Sequence, residues 1–118
     1  MESRRQLQVG ELIKRNFSVV LQQEGSYIIG NEILISVTQV KMSPDLGLAK
    51  IYLSVYNTEN KQAVLLLFKE NLHRLKTQLT KRIRKQVRRI PNIDFYIDET
   101  LDEIDRVDQL FRDMESRK

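Results

Sequence analysis

Along residues 3–23, Val9, Leu12, Ile13, Phe17, Val20 and Leu21 recur at spacings of three and four. That period builds one apolar stripe on a helix. Ser3 is placed to cap its start, and Gly25-Ser26 predicts its end. Over 32–43 the pattern changes to alternation, with Ile33, Ile35 and Val37 against Leu34, Ser36 and Thr38, which predicts a strand. The alternation slips phase near Val40 and Met42, as a bulge would require. Ser43-Pro44-Asp45-Leu46-Gly47 is a turn signal, because Pro presets φ and Gly accepts φ > 0. A second strand follows over 48–57, with Ala49, Ile51, Leu53 and Val55 on one face and Lys50, Tyr52, Ser54 and Tyr56 on the other. The short loop makes the two strands an antiparallel hairpin.

Residues 60–88 keep helical spacing throughout, with Val64, Phe68, Leu72, Leu75, Leu79, Ile83 and Val87 in one stripe. They predict one long helix ended by Pro91. Residues 92–98 alternate again, so a third strand returns after a crossover expected to be right-handed. Thr100 to Met114 predicts a short final helix with Leu101, Ile104, Val107, Leu110, Phe111 and Met114 as its stripe. Asp98, Glu99, Asp102 and Glu103 suit the positive end of its dipole. The tail after about 112 is expected to fray. The order α-β-β-α-β-α reads as an α+β fold, a three-stranded sheet with helices on one face.

At 118 residues, this is one domain, 1–118, with room for one modest core. The chain has no cysteine and one histidine, which excludes disulfides, thiolate chemistry and a multi-histidine zinc site. No apolar run approaches the ~18 residues of a membrane span. No signal-like segment follows Met1-Glu2-Ser3-Arg4-Arg5, so a cytoplasmic protein is expected.

The formal net charge of +4 is unevenly spread. Residues 1–68 hold seven basic and six acidic side chains, net +1. Residues 69–89 hold nine basic and one acidic, net +8. Residues 90–118 hold four basic and nine acidic, net −5. The middle segment is a candidate polyanion footprint, or else a solvated helix face balancing the acidic end. On a helical projection Arg74, Lys81, Lys85 and Arg88 lie opposite the apolar stripe. Arg82, Arg84 and Arg89 flank them.

Little else carries chemistry. His73 has no positioned partner for acid–base work. The carboxylates near 98–108 lack the Asp/Asn and Gly pattern of a calcium loop. Ser36, Ser43 and Ser54 have no nucleophile-elbow context, and no glycine-rich phosphate loop exists. No active site, metal or cofactor is expected. Tyr52 and Tyr56 beside Lys50 read either as base-stacking residues or, preferably, as half-buried tyrosines.

The run Val37-Thr38-Gln39-Val40-Lys41-Met42-Ser43-Pro44-Asp45-Leu46-Gly47-Leu48-Ala49-Lys50-Ile51-Tyr52-Leu53-Ser54-Val55 resembles the ribosome-binding factor A family, whose pattern is V-x-x-S-x-D-L-x-x-A-K-V-Y-x-S. Further along, Leu79-Thr80-Lys81-Arg82-Ile83-Arg84, Pro91-Asn92-Ile93-Asp94-Phe95 and Asp98-Glu99-Thr100-Leu101-Asp102 match in order. Ile104, Arg106, Val107, Asp108 and Leu110 are similar to its R-I-D-x-L-L ending. The resemblance implies a type II KH-like domain without catalytic activity. It implies binding to the small (30S) ribosomal subunit and its 16S rRNA, with help in late maturation and 5′-end processing, notably in the cold.

The chain has no glycine after Gly47, so the GxxG grip of a standard KH domain is missing. Asn71-Leu72-His73 stands where the family carries an A-x-G kink, and Asn71 is a residue at which a bend is permitted. Between Arg84 and Pro91 the chain is about two residues longer than the common pattern, by comparison with the motif itself.

The expected RNA-binding face is Arg74, Lys81, Arg82, Arg84, Lys85, Arg88 and Arg89, with Arg4, Arg5 and Lys50 extending it. Its cations would neutralise rRNA phosphates. A monomer is expected, with no membrane and no small-molecule substrate as partner. The alternative is a protein-interaction module in which the basic helix docks an acidic protein.

Overall fold

The computed structural model describes residues 2–30 and 33–98. The expected final helix over 100–114 lies outside them. The first helix, α1, is Arg4–Ile29. Ser3 and Gln6 form a reciprocal capping box at its start. The expected break at Gly25-Ser26 does not occur. Ile28 and Ile29 pack against the core, and their burial carries the helix through a weak helix former. The helix stops instead at Gly30, whose φ of 83° suits a residue without Cβ.

Strands β1 (Leu34–Met42) and β2 (Leu48–Tyr56) pair antiparallel. Their register shifts between Val37 and Gln39, so Thr38 is the bulged residue. The bulge brings Val40 opposite Ile51 and Met42 opposite Ala49, which restores both to the core side. Thr38 Oγ1 donates to the Asp98 carboxylate at 2.6 Å.

In the loop between the strands the left-handed residue is Leu46, with φ 60°, and not Gly47. Leu46 packs against the core. Hydrogen bonds hold the loop around it. Leu46 N–H donates to Ser43 O, Leu48 N–H to Ser43 Oγ, and Gly47 N–H to Asp45 Oδ1. Such a network sustains a backbone state costing roughly 1–3 kcal/mol.

The expected single helix over 60–88 is two. Helix α2 is Lys61–Glu70 and α3 is Leu72–Ile83, with Asn71 between them at φ −100°, ψ 16°. Asn71 Nδ2 donates to Leu67 O at 2.8 Å, so its side chain competes inside the helical ladder and marks the bend. Helix α3 also ends earlier than Pro91. Repulsion among Lys81, Arg84, Lys85 and Arg88 at i, i+3 and i+4 would grow with each added turn. The same cations are favourable beyond a helix C-terminus. Val87 and Ile90 instead lie against the core on the way to the buried Pro91.

Strand β3 (Asn92–Ile97) pairs parallel with β2, from Leu48 opposite Asn92 to Leu53 opposite Ile97. The sheet order is β1-β2-β3. Ala49, Ile51, Leu53 and Val55 are buried beneath the helices, as the alternation predicts. Phe95 lies 5.6 Å from Phe17 of α1 and 5.9 Å from Phe68 of α2, between ring centroids. This α+β arrangement leaves the outer face of the sheet without a helix among the described residues.

Candidate nucleic-acid interface

Helix α3 buries Leu75, Leu79 and Ile83. That leaves its remaining faces for polar side chains, and the sequence fills them with cations. Helix α1 runs antiparallel beside it. Glu24 meets Arg74 at 2.7 Å, and two turns further along Arg82 Nε donates to Asn16 Oδ1 at 3.3 Å.

The outward side of α3 carries a shallow concavity of about 300 Å³ lined by His73, Lys76, Thr77, Thr80, Lys81 and Arg84. Thr77 and Thr80 donate to the carbonyls of His73 and Lys76, so their hydroxyl oxygens turn back along the helix. Lys76 Nζ donates to Asn92 Oδ1 at 3.1 Å, which ties one wall to the start of β3. Lys81 and Arg84 are exposed. Three cations around one concavity suit a phosphate-bearing ligand.

All ten expected contact residues are exposed, but they do not form one helix face. Arg74, Lys81 and Arg82 lie on α3, Arg84 caps it, and Lys85 lies in the following turn. Arg88 and Arg89 belong to the connection to β3. Arg74 is already engaged. It pairs with Glu24, and its guanidinium carbon lies 4.2 Å from the Tyr27 ring centroid. Side-chain hydrogen bonding to Tyr27 first, and to Glu24 after it, favours its charged form.

Arg89 reaches the strand-connecting loop near Asp45. The Asp45 carboxyl is held below its ordinary value, by the Ser43 hydroxyl first, then by the Gly47 N–H, with Arg89 adding a smaller attraction. Arg4 and Arg5 stand with Arg15 on the rim of a groove of about 530 Å³ between the first turns of α1 and residues 86–87. Its floor includes Leu12 and Val87. This groove reaches residues 86–87, so Arg4 and Arg5 stand beside the basic turn.

Lys50 does not join them. It lies on the outer face of the sheet, opposite Lys41 on β1 and Asp94 on β3. There Tyr52 stacks on Tyr96 at 5.4 Å, and Lys41 Nζ lies 5.5 Å from the Tyr52 ring centroid. Tyr52 and Tyr56 are half-buried. Tyr96 donates to Asp94, whose carboxylate raises the phenol above its ordinary value.

His73, Lys76, Thr77, Thr80 and Arg15 line these concavities without being among the contact residues expected from sequence. Their signal was present for the α3 set, since 73, 77, 80 and 84 share one side of a helix. Arg15 needed the fold, because its groove is closed by residues more than seventy positions away. Among the described residues no group of three or more His, Asp or Glu could hold a metal ion. No helix among them is long and apolar enough to cross a membrane.

The family model "Ribosome-binding factor A" matches residues 5–111. A ribosome-binding factor A from Cytophaga hutchinsonii is 43% identical over 110 residues, covering 93% of this chain and 82% of that protein. The crystal structure of ribosome-binding factor A from Thermus thermophilus superposes with a TM-score of 0.65 at 21% identity, covering 78% of this chain and 94% of that one. A homology model of the Thermus thermophilus ribosome-binding factor A, fitted into the map of a 30S complex, superposes with a TM-score of 0.59 at 23% identity, covering 75% of this chain and 90% of that one. With its fold and almost its whole length accounted for, the chain belongs to the ribosome-binding factor A family.

Proposed function

We propose that this ribosome-binding factor binds the small ribosomal subunit and contacts 16S rRNA phosphates through the cations of α3 and the turn that follows it. The concavity on α3, with Lys76, Lys81 and Arg84 on one exposed side, is the observation that carries the reading. The Thermus relative's placement in a 30S complex supports it. The chain acts by favouring one conformation of immature RNA, a population shift without covalent chemistry. In this way it assists late maturation and 5′-end processing, with its largest effect in the cold. It works as a single-domain monomer in the cytoplasm.

Cosedimentation with precursor and mature small subunits tests the reading. Preference for precursor is expected, with affinity that falls steeply as salt rises. Combined charge reversal of Lys81, Arg84 and Lys85 is expected to abolish binding at low salt. Undiminished binding would remove α3 from the interface.

A second reading is the docking of an acidic protein partner. The groove lined by Leu12 and Val87 favours it, since Arg4, Arg5 and Arg15 outnumber the one carboxylate there, Glu11. A complex that survives nuclease treatment as protein alone would select it.

A further inference from the structure

Tyr27 stands in the last turns of α1 and is 73% exposed. One side of its ring is occupied, because the Arg74 guanidinium carbon lies 4.2 Å from the centroid. Arg74 is fixed in turn by Glu24, whose side chain is only 14% exposed. A mostly buried carboxylate therefore holds a guanidinium, and the guanidinium holds the ring. The three residues come from two antiparallel helices, so the ring's orientation is set by tertiary structure. Its exposure leaves the opposite ring face to solvent.

This changes what Arg74 can do. Its charge already meets a carboxylate and a π-face, which makes it a poorer phosphate ligand than Lys81. What it supports is an ordered aromatic plane at the edge of the basic surface. Unpaired bases stack on aromatic side chains and on guanidinium planes. Within one helical turn of Tyr27 along the chain, Gln23, Ser26 and Gly30 are exposed and none carries an apolar side chain. A flat single-ring contact fits that setting better than a protein surface does. Arg74 and Lys81 are seven residues apart on α3, about 10 Å of helical rise. A single strand spans that distance within a few nucleotides.

We propose that Tyr27, backed by Arg74, is a stacking platform for an unpaired nucleobase of the RNA held by the basic surface. The proposal rests on the RNA-binding reading above. Tyr27 is the residue that touches the base, and Arg74 is a positioning residue.

The test measures binding of wild type, Tyr27→Phe and Tyr27→Ala to purified precursor small subunits at several salt concentrations. Stacking predicts near-wild-type affinity for Tyr27→Phe. It predicts a loss of about 5- to 150-fold for Tyr27→Ala. The salt slope should stay unchanged, because no phosphate contact is removed. Thermal melting checks that both variants fold, as expected for an exposed position. Equal affinity of all three proteins overturns the platform while leaving the RNA reading intact. Equal loss in both variants points to the hydroxyl and also overturns stacking. A Tyr27→Ala defect that persists toward the protein fraction left after nuclease digestion assigns the ring to a protein contact and overturns it too. Failure of the wild type to bind overturns both readings together.

Discussion

Gly10 is buried where α1 crosses β1, and a Cβ there would lie 2.9 Å from the Val40 carbonyl oxygen. Backbone cannot yield as a flexible side chain can. Gly10→Ala is therefore expected to destabilise the protein by about 1–3 kcal/mol, read as a lower urea midpoint. Nothing in the sequence marks this glycine, because mid-helix it reads only as a poor helix former. Its reason lies thirty residues away.

Ser54 presents the opposite case. Among the described residues its hydroxyl is a buried group with no hydrogen-bond partner. Ser54→Ala removes that burden and is expected to leave the melting temperature unchanged or raised. A clear drop would mean that the hydroxyl has a role.

Asp45 contributes a pH dependence to stability. Its folded carboxyl lies below the ordinary 3.8, so its stabilisation is complete above that value and is lost as pH falls through the folded value. Asp45→Asn should flatten the acid limb of a stability–pH curve. An unchanged limb would exclude Asp45 from it.

At the scale of elements, the hydrophobic periods were informative and the ends were not. The stripe from Val64 through Ile83 meets the core as its spacing requires, across the interruption at Asn71. Periodicity reports which side is buried, and it is blind to a bend that keeps the buried side in register. The end of α3 at Ile83 was hidden for a related reason. Val87 continues the apolar stripe, yet reaches the core from a non-helical segment. The sheet alternation, by contrast, holds except at Ser54, which is buried although it alternates with the core residues of β2, and its phase slip is the bulge at Thr38.

The candidate site inherited these errors. Cations read as one helical front are divided among α3, its capping turn and the connection to β3. Lys50 is carried to the other side of the sheet. The division makes an ordered prediction. Lys81→Ala and Arg84→Ala should each weaken subunit binding and reduce the salt slope by roughly 0.7–0.9. Lys50→Ala should leave both unchanged. Equal effects at all three positions would mean that the footprint wraps around the sheet.

At the scale of the whole molecule, one side chain joins the layers. Phe95 on β3 touches Phe17 of α1 and Phe68 of α2. Phe95→Ala is expected to cost about 3–5 kcal/mol, because the cavity would open where three elements meet. A loss near 1 kcal/mol would show that the site collapses freely. The parallel pairing of β3 has a kinetic consequence. The β1–β2 hairpin closes over a five-residue loop, whereas β3 pairs only after the whole α2–α3 crossover has been drawn in. Loop-closure entropy delays such non-local pairing. The folding nucleus should therefore hold the hairpin packed against α1, with β3 joining late. Conservative truncations such as Val37→Ala should slow folding, whereas Ile93→Val should act mainly by speeding unfolding. Chevron plots of the two variants would reveal the order of assembly, and a slowed folding limb for Ile93→Val would place β3 inside the nucleus.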